Sequence, residues 1–145
     1  MQEPIGAAIV GCGAIFPLHA GAVQQLDGVK LKMVVDSDPS KAEKAAAEYA
    51  CEAASDYLTL LERDDIQVVH LCTPHHLHAE MATQLLRAGK HVLTEKPLAH
   101  HLNAAEDLLI EARRSEAQLG VVFRTDTTPR PGKSANSWTR KRWAS

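Results

Sequence analysis

Short apolar runs alternate along the chain with longer stretches whose apolar positions recur at helical spacing. Ile5–Val10 is the first run and reads as a strand. The turn Gly11-Cys12-Gly13-Ala14-Ile15-Phe16 follows, then a helical stretch over 17–26, with Pro17 suited to a first helical turn. Val29–Val35 is the second strand and ends at Asp36. Asp38 reads as an N-cap and Pro39 as the first helical position, which predicts an alanine-rich helix over 40–50. A short strand over 51–54, a short helix over 57–63 and a strand over 67–72 come next. A helix over 77–88 is predicted to stop at Gly89, followed by a strand over 91–94. A long helix over 103–118 has an apolar face to which Leu102, Leu108, Leu109 and Ala112 contribute, and a sixth strand is predicted over 120–123. The strands are continuous apolar runs, the pattern of a parallel sheet covered on both faces.

The 145 residues fit one domain, which would bury roughly 68–70% of its unfolded surface. A net charge of −2 argues against nucleic acid as the main partner. Residues 1–123 hold 10 Lys and Arg against 17 Asp and Glu, a net of −7. Residues 124–145 hold 6 against 1, a net of +5, together with both tryptophans, Trp138 and Trp143. Two compositions therefore meet near Phe123. Cys12, Cys51 and Cys72 are odd in number and widely spaced, which fits reduced thiols and a cytoplasmic location. Ile9-Val10-Gly11-Cys12 looks like a lipoprotein cleavage site, but no basic region precedes it and the apolar run is short. No stretch approaches the length of a membrane span, so no membrane partner is expected.

The chemistry gathers at the ends of the predicted strands. Gly11 permits a tight turn and Gly13 lets the backbone approach a pyrophosphate. The helix that follows Ala14 and Ile15 aims its N–H groups and positive dipole end at that anion. The third position of the glycine fingerprint is Phe16, a bulky group where helix and sheet usually pack closely. A phosphate loop after the first of six strands marks a Rossmann-type doubly wound α/β fold with NAD as the expected cofactor. Asp36, beside Ser37, stands 23 residues beyond Gly13. A carboxylate there accepts hydrogen bonds from the adenine ribose and repels the extra phosphate of NADP, which makes NADP the less favoured cofactor. Thr73 and Pro74 are expected to shape the cofactor cleft, and His78 to tie down a helix start. The neighbouring His75 and His76 invite a metal reading, but no Cys or acidic cluster completes a site and no metal is expected. His19, His70 and His91 are expected in core or surface roles. Glu95-Lys96-Pro97 ends the fifth strand at the ligand edge, and Pro97 pushes Lys96 towards an extended backbone that aims its side chain.

Residues 5–123 resemble the cofactor domain of the Gfo/Idh/MocA oxidoreductases, the group of glucose–fructose oxidoreductase and inositol dehydrogenase. The resemblance rests on GCGAIFPLHA, VVDSDPSKA, LGVVF and above all VVHLCTPHHLHAEMATQLLRAGKHVLTEKPLA. It implies hydride transfer between NAD(P) and a sugar, polyol or related hydroxy or keto substrate. It also implies that Lys96 contacts substrate and nicotinamide, with Glu95 and Pro97 setting the strand end. Position 75, often Asn in that family, is His here. The family's usual acid/base histidine comes from a second α/β domain after the sixth strand. That domain also shapes the sugar pocket and commonly builds a homo-oligomer interface. The length leaves no room for it, so turnover by this chain alone is expected to be negligible. A non-catalytic NAD-binding module and a non-functional gene fragment are the alternatives.

Residues 124–145 show no helical or strand period and no domain character. The family typically continues after the sixth strand with a string like QNRYNP. Its codons CAG AAC AGA TAC AAC CCC, read from the second base, give Arg-Thr-Asp-Thr-Thr-Pro, which is residues 124–129. The expectation is a dinucleotide-binding domain over 1–123 and a basic tail that is a frameshifted start of the second domain. A natural short protein with a basic, anion-binding arm is the competing account. Resequencing decides between them: an intact frame with no second-domain coding downstream removes the frameshift.

Overall fold

The computed structural model describes residues 2–95, 99 and 101–122. Lys96, Pro97 and the basic tail lie outside the described residues. Among the described residues, six strands form one parallel sheet: β1 Ile5–Val10, β2 Val29–Val35, β3 Glu52–Ala54, β4 Val68–Leu71, β5 His91–Glu95 and β6 Leu119–Val122. Their order is β3-β2-β1-β4-β5-β6, so the chain crosses to the other side of β1 between β3 and β4. That reversal opens a crevice beyond the carboxyl ends of β1 and β4. The helices are α1 Phe16–Gln24, α2 Pro39–Tyr49, α3 His78–Arg87 and α4 Leu102–Arg114, with 3₁₀ turns at Tyr57–Glu62 and His75–Leu77.

Both faces of the sheet are covered, and β1 shows why its apolar run is unbroken. Ala7 and Ile9 pack with Phe16, Ala20 and Val23 on one face, while Ala8 and Val10 pack with Leu85, Leu86 and Leu108 on the other. Phe16 does not obstruct the fold. It is buried in the α1–α2 layer and meets Tyr49 edge-on, ring centroids 5.4 Å apart. Asp38 caps α2 through its side chain, which accepts from the Ser40 N–H at 3.0 Å.

Several boundaries differ from the sequence pattern. The helix expected over 77–88 is α3, and a 3₁₀ turn over His75–Leu77 leads into it. The helix expected to reach 118 stops at Arg114, because Ser115 turns extended. The Ser115 hydroxyl donates to the Leu86 carbonyl at 2.9 Å and accepts from the Ala117 N–H at 3.0 Å, tying the chain back to α3 instead of prolonging the helix. Leu102 and Leu109, expected on its apolar face, are exposed, and Leu108 alone of the three leucines is fully buried.

The amino end of the sheet is closed by polar ties. The buried Lys90 ammonium donates to the carbonyls of Arg63 and Ile66, and the Gly6 N–H donates to Gln67 Oε1 at 2.7 Å. No helix among the described residues is long and apolar enough to cross a membrane.

Candidate functional site

A cleft of about 640 Å³ lies across the carboxyl edge of β1, β2 and β4. Its floor is the β1–α1 turn. Gly11 sits at φ +99°, and a Cβ there would lie 2.5 Å from the Cys72 carbonyl oxygen, so no other residue fits. Gly13, Ala14 and Ile15 line the cleft, and a Cβ on Gly13 would meet nothing within 4 Å. The space over Gly13 is therefore open to a ligand. Ile15 caps α1 without a side-chain hydrogen bond, and no acidic residue occupies the first turn. The positive end of α1 is left for an anion.

Asp36 stands at one end of this floor. Its Oδ2 accepts from the Cys12 N–H at 2.8 Å and its Oδ1 from the Asp38 N–H at 2.9 Å. The carboxylate is thus fixed across the glycine turn, and each oxygen keeps a lone pair for a further donor. Ser37 lines the cleft beside it. Thr73, Pro74 and His75 form the opposite wall. His78 is fully buried below that wall, its Nε2 2.7 Å from the Thr73 carbonyl, so it secures the loop from beneath.

Glu95 ends β5 in a part-buried polar chain. His19 Nε2 lies 2.8 Å from Glu95 Oε1, and His19 Nδ1 lies 3.0 Å from His70 Nδ1. Burial, with His19 adding to it, pushes the His70 ring down to about 4, so that ring is neutral near pH 7. Burial followed by the Asp36 charge pushes the Cys12 thiol up to about 11, and burial followed by Glu95 pushes Cys72 up to about 12. Both thiols are protonated and poor nucleophiles. Among the described residues no cluster of His, Cys, Asp or Glu is arranged to hold a metal.

The structure brings Gly11, Gly13, Ala14, Ile15, Asp36, Ser37, Thr73 and Pro74 to one cleft. Glu95 and His78 sit behind it in hydrogen-bonded positions, and Lys96 and Pro97 are outside the described residues. Sequence reasoning missed Lys41, Ser55, Asp56 and Tyr57, which also line the cleft. Two signals pointed to them. Lys41 is in the first turn of α2, where side chains lean back towards the strand end. The other three follow the carboxyl end of β3, the edge where such sheets place ligands.

Comparison with known proteins agrees with this geometry. The profile of the Gfo/Idh/MocA group, described as an oxidoreductase family with an NAD-binding Rossmann fold, matches residues 5–123. A dTDP-3,4-didehydro-2,6-dideoxy-alpha-D-glucose 3-reductase of Saccharopolyspora spinosa is 36% identical over 120 residues, which are 82% of this chain and 36% of the relative. The WlbA dehydrogenase of Bordetella pertussis, solved with NADH and UDP-GlcNAcA, superimposes with a TM-score of 0.79 at 29% identity, covering 83% of this chain and 35% of that one. KijD10, a 3-ketoreductase of Actinomadura kijaniata solved with NADP and TDP-benzene, gives a TM-score of 0.76 at 33% identity over 81% of this chain and 37% of that one. The chain spans about a third of the length of these relatives.

Proposed function

Because the chain belongs to the Gfo/Idh/MocA oxidoreductases and carries their NAD-binding Rossmann fold over 5–123, we propose that NAD lies extended along the carboxyl edge of the sheet. The adenine ribose meets Asp36, the pyrophosphate rests over Gly13 at the start of α1, and the nicotinamide reaches towards Thr73, Pro74 and the end of β5. The observation that carries this reading is the Asp36 carboxylate, held by two backbone N–H groups with its remaining lone pairs directed to neither. Bound nicotinamide supplies the hydride acceptor or donor. Lys96, next in sequence to Glu95, orients the substrate oxygen and holds or moves a proton at Nζ, while Glu95 and Pro97 set the strand end. The substrate is a sugar, polyol or related hydroxy or keto compound. Three free thiols, Cys12, Cys51 and Cys72, support a cytoplasmic setting.

Lys41 favours a second cofactor. It lines the cleft beside Ser37, where a 2′-phosphate would stand. Isothermal titration separates the two. NAD binding more tightly than NADP supports the Asp36 reading, and Asp36→Asn then narrows the gap roughly tenfold. NADP preferred over NAD sinks it and assigns the phosphate to Lys41.

A further inference from the structure

The chain His70–His19–Glu95 joins three elements, β4, α1 and the end of β5. His19 is 6% exposed and the Glu95 side chain 13%. An ionised carboxylate only accepts, so His19 Nε2 carries a hydrogen and donates it to Glu95. His19 Nδ1 then meets His70. It receives the His70 Nδ1 hydrogen when His19 is neutral, and donates its own when His19 is charged. In both states the His19 ring is clamped at both nitrogens, and the Glu95 carboxylate has a fixed direction. Packing does not require this. The rest of α1 meets the sheet through Phe16, Ala20 and Val23, and an apolar trio in place of the polar one would avoid the desolvation cost. The polar exception lies at the carboxyl edge, where the cleft opens.

Resting on the cofactor reading above, we infer that His19 and His70 are positioning residues: they clamp Glu95 and thereby fix the end of β5 for the nicotinamide half of the cofactor. They act through Glu95, as outer partners orient inner ligands in metal sites.

The test compares NADH with ADP-ribose, which lacks the nicotinamide, by isothermal titration of the whole chain. The wild type is expected to bind NADH more tightly than ADP-ribose. His19→Leu should weaken NADH roughly tenfold and leave ADP-ribose unchanged, because it removes a charge-assisted hydrogen bond at one end only. His19→Gln, whose amide N–H stands near the Nε2 position, should recover most of that loss. Equal wild-type affinities, or a His19→Leu that keeps both ligands or loses both alike, overturn the inference. Should His19→Leu not fold, ring-nitrogen NMR of the wild type decides. His19 protonated at Nε2 supports the clamp, and His19 protonated at Nδ1 alone overturns it. A folded wild type that binds neither ligand refutes the cofactor reading itself, and the inference falls with it.

Discussion

Gly11 and Gly13 stand two residues apart and answer to different forces. Gly11 is held by the fold, through a positive φ and contact with the Cys72 backbone. Gly11→Ala is therefore expected to lower stability by about 1–3 kcal/mol, measured as a shift in urea midpoint. Gly13 borders open space, so Gly13→Ala should leave the urea midpoint nearly unchanged and weaken NAD binding at least tenfold in titration. His70 supplies a third expectation. Its ring protonates near 6.5 when unfolded and near 4 when folded. Between those values the unfolded chain binds more protons, so stability falls as pH drops from about 6.5 towards 4. The fall in urea midpoint between pH 7 and pH 5 should shrink in His70→Asn, which cannot titrate. The placement of Asp36 and the glycines at one cleft was legible in the sequence because it depends on spacing along the chain. The His19–His70 pair was not, because it joins residues 51 apart that meet only once α1 has packed on the sheet.

Elements were most legible where their signals are local. The Asp38–Pro39 start of α2 and the Gly89 stop after α3 follow from side-chain capping and from a backbone at φ +82°. The end of α4 was not legible, because a tertiary bond sets it. The periodic pattern runs past Arg114, yet the Ser115 hydroxyl binds Leu86 in a neighbouring helix. Ser115→Ala should cost about 1 kcal/mol in urea unfolding. Lys90 plays a larger part, since its ammonium joins the turn after α3 to the segment between the 3₁₀ turn and β4. Lys90→Met leaves two carbonyls without that donor and should cost about 2–3 kcal/mol in the same measurement. Glu95, placed just past the predicted strand, is paired with Val122 in the sheet, which extends β5 by one residue into the site.

At the scale of the molecule, the six-stranded parallel sheet and its two covered faces were legible from continuous apolar runs punctuated by helices, while the strand order came from the structure. The cleft was only half legible, because its β3 side is built from Ser55, Asp56 and Tyr57, which carry no motif. Binding of NAD to the folded chain alone should raise its melting temperature. At a hundredfold excess over Kd the gain is about 2.7 kcal/mol, which for a domain of this size is a shift of roughly 5–15 °C. A matched concentration of NADP should give a smaller shift. The two ends of the sheet divide the labour. Lys90, Gln67 and the Gly6 backbone close the amino end with bonds that concern only the fold. The carboxyl end is lined by turns that border the cleft, with Gly13 facing open space and Asp36 held across the glycine turn. Change at the amino end therefore falls on stability, and change at the carboxyl end, Gly11 apart, falls mainly on recognition. A lineage built on this scaffold can drift in what it recognises while its framework stays under purifying selection.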